Sequence, residues 1–256
     1  MRVALVHPRL DARGGAENVV LWMARGLQER GHAVVVAARK LPADRWNEGD
    51  WDGIPLVRVE EKRFDGWRPR RDRKRVLGER LRRALGACDV IVAHNEPAPL
   101  WATVAAKRMT GTRVVWFCEE PKARFHWRTT TPHFAAAIDD LAKHPWLDEV
   151  ARVWYADRQR DKKGGRRAMD RELDLAAARR ADCVLGNSAF TAKNAEKVYD
   201  VRAEPCLLGM PEPEPVDVTT EAPYVAWIGS MVAHKNAYGF LQALHIAVQE
   251  LGARDL

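Results

Sequence analysis

The chain has 256 residues, 46% of them hydrophobic and 30% charged, an ordinary globular balance with ample apolar material for a core. A formal net charge of +7 and a pI near 9.4 favour anionic partners: a nucleotide phosphate, nucleic acid or an acidic membrane surface. Four widely spaced cysteines with no CxxC pair exclude a disulfide framework or zinc site and read as reduced core thiols.

Val3–Val6 is too short for the apolar region of a signal peptide, and Arg9 and Asp11 follow at once. No run approaches the roughly 18 apolar residues of a membrane span, so the chain is expected to be soluble and cytoplasmic. Val3–Val6 instead reads as a first strand. A helix follows from about Ala16 to Arg30, with Ala16, Val20, Met23 and Leu27 on one face and Gly31 as its stop. Between strand and helix stand two glycines, Gly14 and Gly15, where a turn alone needs one. The pair predicts that something approaches bare backbone there.

Further strands are expected at Val34–Val36, Ile54–Val59, Cys88–Ala93 and Val114–Cys118, with helices at Arg75–Leu85 and about Pro99–Met109. Each strand is a nearly continuous apolar run, as strands buried on both faces require. Strand and helix in regular alternation predict an α/β fold, a Rossmann-like doubly wound parallel sheet. From about His133 to Arg180 the pattern is helical and long. "ADCVLGNSAFTAKNAEKVYDV" then gives a strand at Asp182–Leu185, a cap at Asn187 or Ser188 and a helix to about Tyr199, and "AEPCLLG" a further short strand. The 14 residues "MPEPEPVDVTTEAP" contain four prolines and read as a linker. "YVAWIGS" and "KNAYGFLQALHIAVQEL" then begin a second strand–helix module. The predicted organisation is a first domain over residues 1–208, a linker over 209–222 and the start of a second, incomplete Rossmann-like domain over 223–256.

"GGAENVVLWMARGLQERGHAVVV", "ADCVLGNSAFTAKN" and "WIGSMVAHKNAYGFLQAL", in that order, resemble a family-4, GT-B-fold retaining glycosyltransferase. The resemblance covers nearly the whole chain. It implies two Rossmann-like domains, the first holding an acceptor and the second a nucleotide-sugar donor. It also implies a role for Gly14 and Gly15: main-chain amides at a helix N-terminus meeting the donor diphosphate, with the helix dipole favouring negative charge. In "IGSMVAHKN", Lys235 matches the family's phosphate-binding lysine, while Ser230 stands where the family carries an arginine. A hydroxyl gives one neutral hydrogen bond in place of a charged fork, a difference on the order of 1–2 kcal/mol. In "VVWFCEEPKARF", Glu119 stands where the family places a histidine near the reacting sugar, and a carboxylate there accepts sugar hydroxyls. His94, in "VAHNEP", lies at another strand end where such folds bind ligands. Glu119 is thus the candidate catalytic residue, and Gly14, Gly15, His94, Ser230 and Lys235 the candidate substrate-binding residues.

The resemblance implies neither a cofactor nor a metal. The family's Glu-x7-Glu motif lies well downstream of its lysine, beyond the end of this sequence, so the chain reads as truncated and little activity is expected of it alone. Glu196 and Glu204 have the same spacing but fall upstream of the linker and read as coincidence. The expected reaction moves a sugar, with retention, from a nucleotide-diphosphate sugar to an acceptor hydroxyl, on a sugar or lipid-linked acceptor.

Lys62 to Arg83 carries eleven Lys or Arg against three acids, interleaved with Phe64 and Trp67. Such a face suits an anionic membrane surface, at about 1 kcal/mol per basic residue, which would place the protein peripherally at the inner face of the membrane. No nucleic-acid recognition motif accompanies it, and nucleic acid is not the expected partner. A non-catalytic acceptor- or partner-binding module of the same fold is the alternative function; a basic nucleic-acid-binding α/β protein is a further one.

Overall fold

A computed structural model describes residues 1–44, 46–62, 70–130, 166–210 and 237–252, with short pieces at 132–133, 136, 140, 212 and 225–229. The chain divides into two compact units, Met1–Ala136 with Lys163–Pro211, and Ala137–Lys162 with Glu212–Leu256.

The first unit is built on seven parallel strands: β1 (Arg2–Arg9), β2 (Ala33–Lys40), β3 (Leu56–Arg58), β4 (Val90–His94), β5 (Arg113–Cys118), β6 (Cys183–Gly186) and β7 (Glu204–Pro205). Their order is β3-β2-β1-β4-β5-β6-β7. The strand order reverses between β1 and β4, which pair from Val3 against Val90 to Val6 against Ala93. In an open α/β sheet that reversal leaves a crevice outside the carboxyl ends of the two strands. Five consecutive residues of β1 and of β2 are buried, so the apolar runs match strands covered on both faces.

Helices α1 (Gly15–Glu29), α2 (Arg70–Leu85), α3 (Ala98–Ala106), α4 (Ala123–Thr130), α5 (Arg166–Arg180) and α6 (Ala189–Tyr199) cover the sheet. Val19, Val20, Leu21 and Ala24 bury the inner face of α1 on one side, with Leu5, Val36 and Phe117. Leu77, Leu81 and Leu85 of α2 and Trp101 and Ala105 of α3 cover the other, against Val6, Val35 and Ile91. Trp116, Val184, Ala195 and Tyr199 form a third cluster beneath α5 and α6. Gly31, at φ +78°, ends α1 as its position in the sequence predicts. At the start of α6 the Thr191 N–H donates to Ser188 Oγ at 3.1 Å, so Ser188 rather than Asn187 is the cap.

Three elements differ from expectation. α2 begins at Arg70, five residues before the apolar periodicity. Its first turns are held by ion pairs instead, Arg73 with Glu61 and Lys74 with Asp170 at 3.0 Å. β3 is only three residues, although the flanking Ile54 and Val59 are buried. β7 is shorter than "AEPCLLG" suggests: Leu207 and Leu208 are largely exposed and outside the ladder. Most of the long helical stretch expected after His133 lies outside the described residues, as do 63–69 of the basic stretch and most of the expected linker.

In the second unit, α7 (Ala237–Gln249) matches the expected helix. Residues 225–229 are in neither helix nor strand, where the sequence predicts a strand. Ile228 is 95% exposed, and apolar residues without a ladder partner do not make a strand.

Candidate functional site

The carboxyl ends of β1, β4 and β5 bring together side chains that are far apart in the sequence. His7, near the end of β1, is buried. Its Nδ1–H donates to the Arg9 carbonyl oxygen at 2.5 Å, which leaves Nε2 as the acceptor for the Asn95 side-chain amide at 3.1 Å. Burial, and then the neighbouring His94, push the His7 pKa down to about 4, so the imidazole is neutral at physiological pH. Asn95 sits in the β4–α3 loop at φ 48°, a left-handed conformation that asparagine tolerates better than most residues.

Beside His7 lies the N-terminus of α1. Gly14 is the cap residue and has extended backbone, with no side chain to accept from the first turn. Glu17 supplies that acceptor. Its carboxylate lies over Gly14, where the main chain of Gly14 and of Glu17 itself draws its pKa down, in the manner of the reach-back half of a capping box. A Cβ built on Gly14 would lie 2.7 Å from Glu17 Oε2, whereas one built on Gly15 would meet nothing within 4 Å. The two glycines therefore differ. Gly14 makes room for Glu17, and Gly15 borders open space at a helix N-terminus. Burial holds Glu17 above the usual carboxylate range despite those two amides, and Glu119 and Asp11 add to the rise. Glu17 Oε1 is also 4.0 Å from His7 Nε2.

His94, the last residue of β4, is fully buried, its ring 5.2 Å from that of Phe117. Its Nδ1 lies 3.9 Å from Glu119 Oε1, beyond hydrogen-bonding reach. Neither ring nitrogen of His94 nor Oε1 of Glu119 has a hydrogen-bond partner among the described residues. Buried polar atoms are nearly always satisfied, so three orphaned atoms at one edge mark a place for ligand polar groups or water. Glu119 is held from behind, its carbonyl oxygen accepting from Thr191 Oγ1 at 3.4 Å.

Gly14, Gly15, His94 and Glu119 thus share one edge of the sheet, while Ser230 and Lys235 lie outside the described residues. Sequence reasoning passes over His7, Glu17 and Asn95. Each carries a signal: a polar residue closing an apolar run for His7, the third-position glutamate of a capping box for Glu17, and the residue after a strand-end histidine for Asn95. Glu196 and Glu204, by contrast, have local roles. Glu196 Oε1 accepts from the Ala203 N–H at 3.3 Å, and Glu204 pairs with Arg202 at 3.0 Å. Among the described residues no cluster of three metal-ligating side chains is present, and no helix is long and apolar enough to cross a membrane.

Residues 13–207 match the family model described as Glycosyltransferase Family 4. No curated protein matches the chain. Among solved structures, one similar chain is an alpha-glucosyltransferase in complex with UDP and a 13-mer DNA containing a HMU base, at 12% identity and TM-score 0.45, over 82% of this chain and 43% of that one. Another is the apo form of the lipopolysaccharide outer core galactosyltransferase WaaB, at 12% identity and TM-score 0.43, over 77% of this chain and 44% of that one. The chain therefore spans less than half the length of these structures.

Proposed function

The chain belongs to Glycosyltransferase Family 4, and from that premise we propose that it takes part in retaining sugar transfer from a nucleotide-diphosphate sugar to an acceptor hydroxyl. The observation that carries this reading is the open space at Gly15 on the N-terminus of α1, beside the unpartnered His94 and Glu119. The Glu17 carboxylate lies over Gly14, and the amides of Gly15 and Ala16 are the ones that would meet a diphosphate oxygen. Amides fixed in place stabilise charge on the leaving diphosphate without reorganising, and the helix dipole adds to them.

Glu119 accepts hydrogen bonds from sugar or acceptor hydroxyls, and His94 orients the same groups. Neutral His7 holds Asn95, and through it the start of the loop that follows His94. Ser230 and Lys235 belong to the donor side of the reading, Lys235 as a point charge on the diphosphate and Ser230 as a neutral donor. The proposed division is an acceptor-side domain over residues 1–208, a linker over 209–222 and the beginning of a donor-binding domain from 223. A lipid-linked acceptor would also suit the basic residues of Lys62 to Arg83 at the cytoplasmic face of a membrane. Part of that charge is engaged within the protein, in the pairs of Arg73, Lys74 and Arg82.

The test is calorimetric titration of the chain with UDP and GDP, comparing wild type with Gly15→Val. A Cβ at Gly15 meets nothing within 4 Å, so the variant is expected to fold while its side chain fills the space over the amides. Loss of one or two charge-assisted bonds of about 1.5–3 kcal/mol each weakens binding at least tenfold. Equal affinity in both proteins refutes the assignment of the diphosphate to this loop.

A further inference from the structure

The connection between β5 and α4, residues 119–122, begins with Glu119 and is held at both ends by α6. At its first residue the Glu119 carbonyl oxygen accepts from Thr191 Oγ1 at 3.4 Å. At its last, the Lys122 N–H donates to the Tyr199 hydroxyl, also at 3.4 Å. Both distances are long, so neither bond is strong by itself. The second gains its hold from how firmly the hydroxyl is placed.

Tyr199, the final residue of α6, is fully buried. Its ring stands edge-on to Trp116 of β5, with centroids 4.9 Å apart, and to His126 of α4 at 5.2 Å. The ring therefore touches both the strand that leads into Glu119 and the helix that follows it. Its carbonyl oxygen accepts from Arg179 Nε of α5 at 3.0 Å. Burial raises the phenol pKa, so the hydroxyl keeps its proton. A main-chain N–H can only donate, so the hydroxyl accepts from Lys122 and gives its one proton to Asp174 Oδ2 of α5, at 3.1 Å.

The same Oδ2 accepts from His126 Nε2 of α4 at 2.9 Å, and both Asp174 and His126 are buried. One carboxyl oxygen thus ties α4, α5 and α6 together, and the Tyr199 hydroxyl extends that tie to the main chain of the loop. We propose that Tyr199 is a positioning residue for Glu119: its hydroxyl, bound to Lys122 and Asp174, sets the path of the β5–α4 loop and hence where the Glu119 carboxyl stands relative to His94. That Glu119 receives sugar hydroxyls rests on the reading of the site given above; that Tyr199 sets its place does not.

Tyr199→Phe keeps the ring and its edge contacts and removes the hydroxyl alone. NMR of the whole chain reads the result at two places. Exchange of the Lys122 amide accelerates about tenfold more than that of Val36, whose N–H donates to the Pro55 carbonyl oxygen at 2.9 Å in another part of the sheet. The His94 ring signals shift, because Glu119 Oε1 lies 3.9 Å from Nδ1. In a Glu119→Gln background the same substitution moves those signals much less, whereas a tyrosine that merely supports the core moves them equally in both. In wild type the Tyr199 hydroxyl proton shows a nuclear Overhauser contact with the Lys122 amide proton, so the proposal stays testable where Tyr199→Phe fails to fold. Absence of that contact, equal acceleration at Lys122 and Val36, or equal His94 shifts in the two backgrounds overturns it. Calorimetry with UDP-glucose and UDP is a separate arm: Tyr199→Phe weakens UDP-glucose binding about threefold and leaves UDP binding unchanged. If neither affinity responds while the NMR results hold, the positioning stands and the assignment of Glu119 to sugar hydroxyls fails.

Discussion

Replacing Glu17 with glutamine separates two effects that its carboxylate combines. The substitution keeps the side chain's shape over Gly14, where Oε2 lies 2.7 Å from the position a Cβ would take, and removes only the charge. Charge-assisted bonds to the first-turn amides become neutral ones, a loss of about 1 kcal/mol, and the helix dipole loses a favourable anion worth about 0.3–1 kcal/mol. Relief from Glu119 and Asp11, which both repel Glu17, offsets part of this. The net expectation is a fall of about 0.5–1 kcal/mol in unfolding free energy. Ligand binding should move the other way. A diphosphate at Gly15 and Ala16 shares the helix end with the Glu17 charge, and two unit charges ~8 Å apart at an effective dielectric near ~20 repel by ~2 kcal/mol before screening. After screening, Glu17→Gln should bind UDP about tenfold more tightly, with the gain shrinking at high salt. Urea unfolding gives the first quantity, and calorimetric titration at two ionic strengths gives the second. Weaker UDP binding by Glu17→Gln would show that the carboxylate orients the ligand rather than competing with it, and the electrostatic account of this helix end would be wrong.

His7 should make stability depend on acid. Its folded pKa, about 4, lies below the ordinary histidine value of 6.5, so the unfolded chain binds the extra proton first. Stability from this group is therefore intact above about pH 6.5 and falls by about 1.4 kcal/mol per pH unit as pH drops toward 4. Denaturant melts of His7→Gln should lack that slope, and an unchanged slope would reassign it to other groups. Gly78→Ala should destabilise: in α2 its Cβ would lie 2.6 Å from Val104 Cβ and 3.0 Å from the Trp101 carbonyl oxygen of α3. Overpacking of this kind costs about 1–3 kcal/mol, against the ~1 kcal/mol that alanine otherwise adds in a helix. Gly26→Ala in α1 is the control, because its Cβ meets only the end of the long Arg30 side chain at 3.4 Å and should raise the melting temperature. Equal shifts in the two proteins would remove the packing argument.

Local physics wrote the alternation of strands and helices into the sequence. A strand buried on both faces must be apolar throughout, and Val3–Val6, Val34–Val36 and Val114–Cys118 show it. A helix start with two glycines and a third-position glutamate is equally legible, since its hydrogen bonds close within four residues. Other features depend on partners distant in the chain. The first turns of α2 carry no apolar periodicity and rest on Glu61 and on Asp170, 96 residues beyond Lys74. His7 meets Asn95 across 88 residues, and His126 of α4 meets Asp174 of α5 across 48. A parallel sheet collects the carboxyl ends of strands that long crossovers separate. Which residues point into a site was therefore readable strand by strand, but which of them touch, which hold protons and which are left without a partner was decided only when the sheet brought them together.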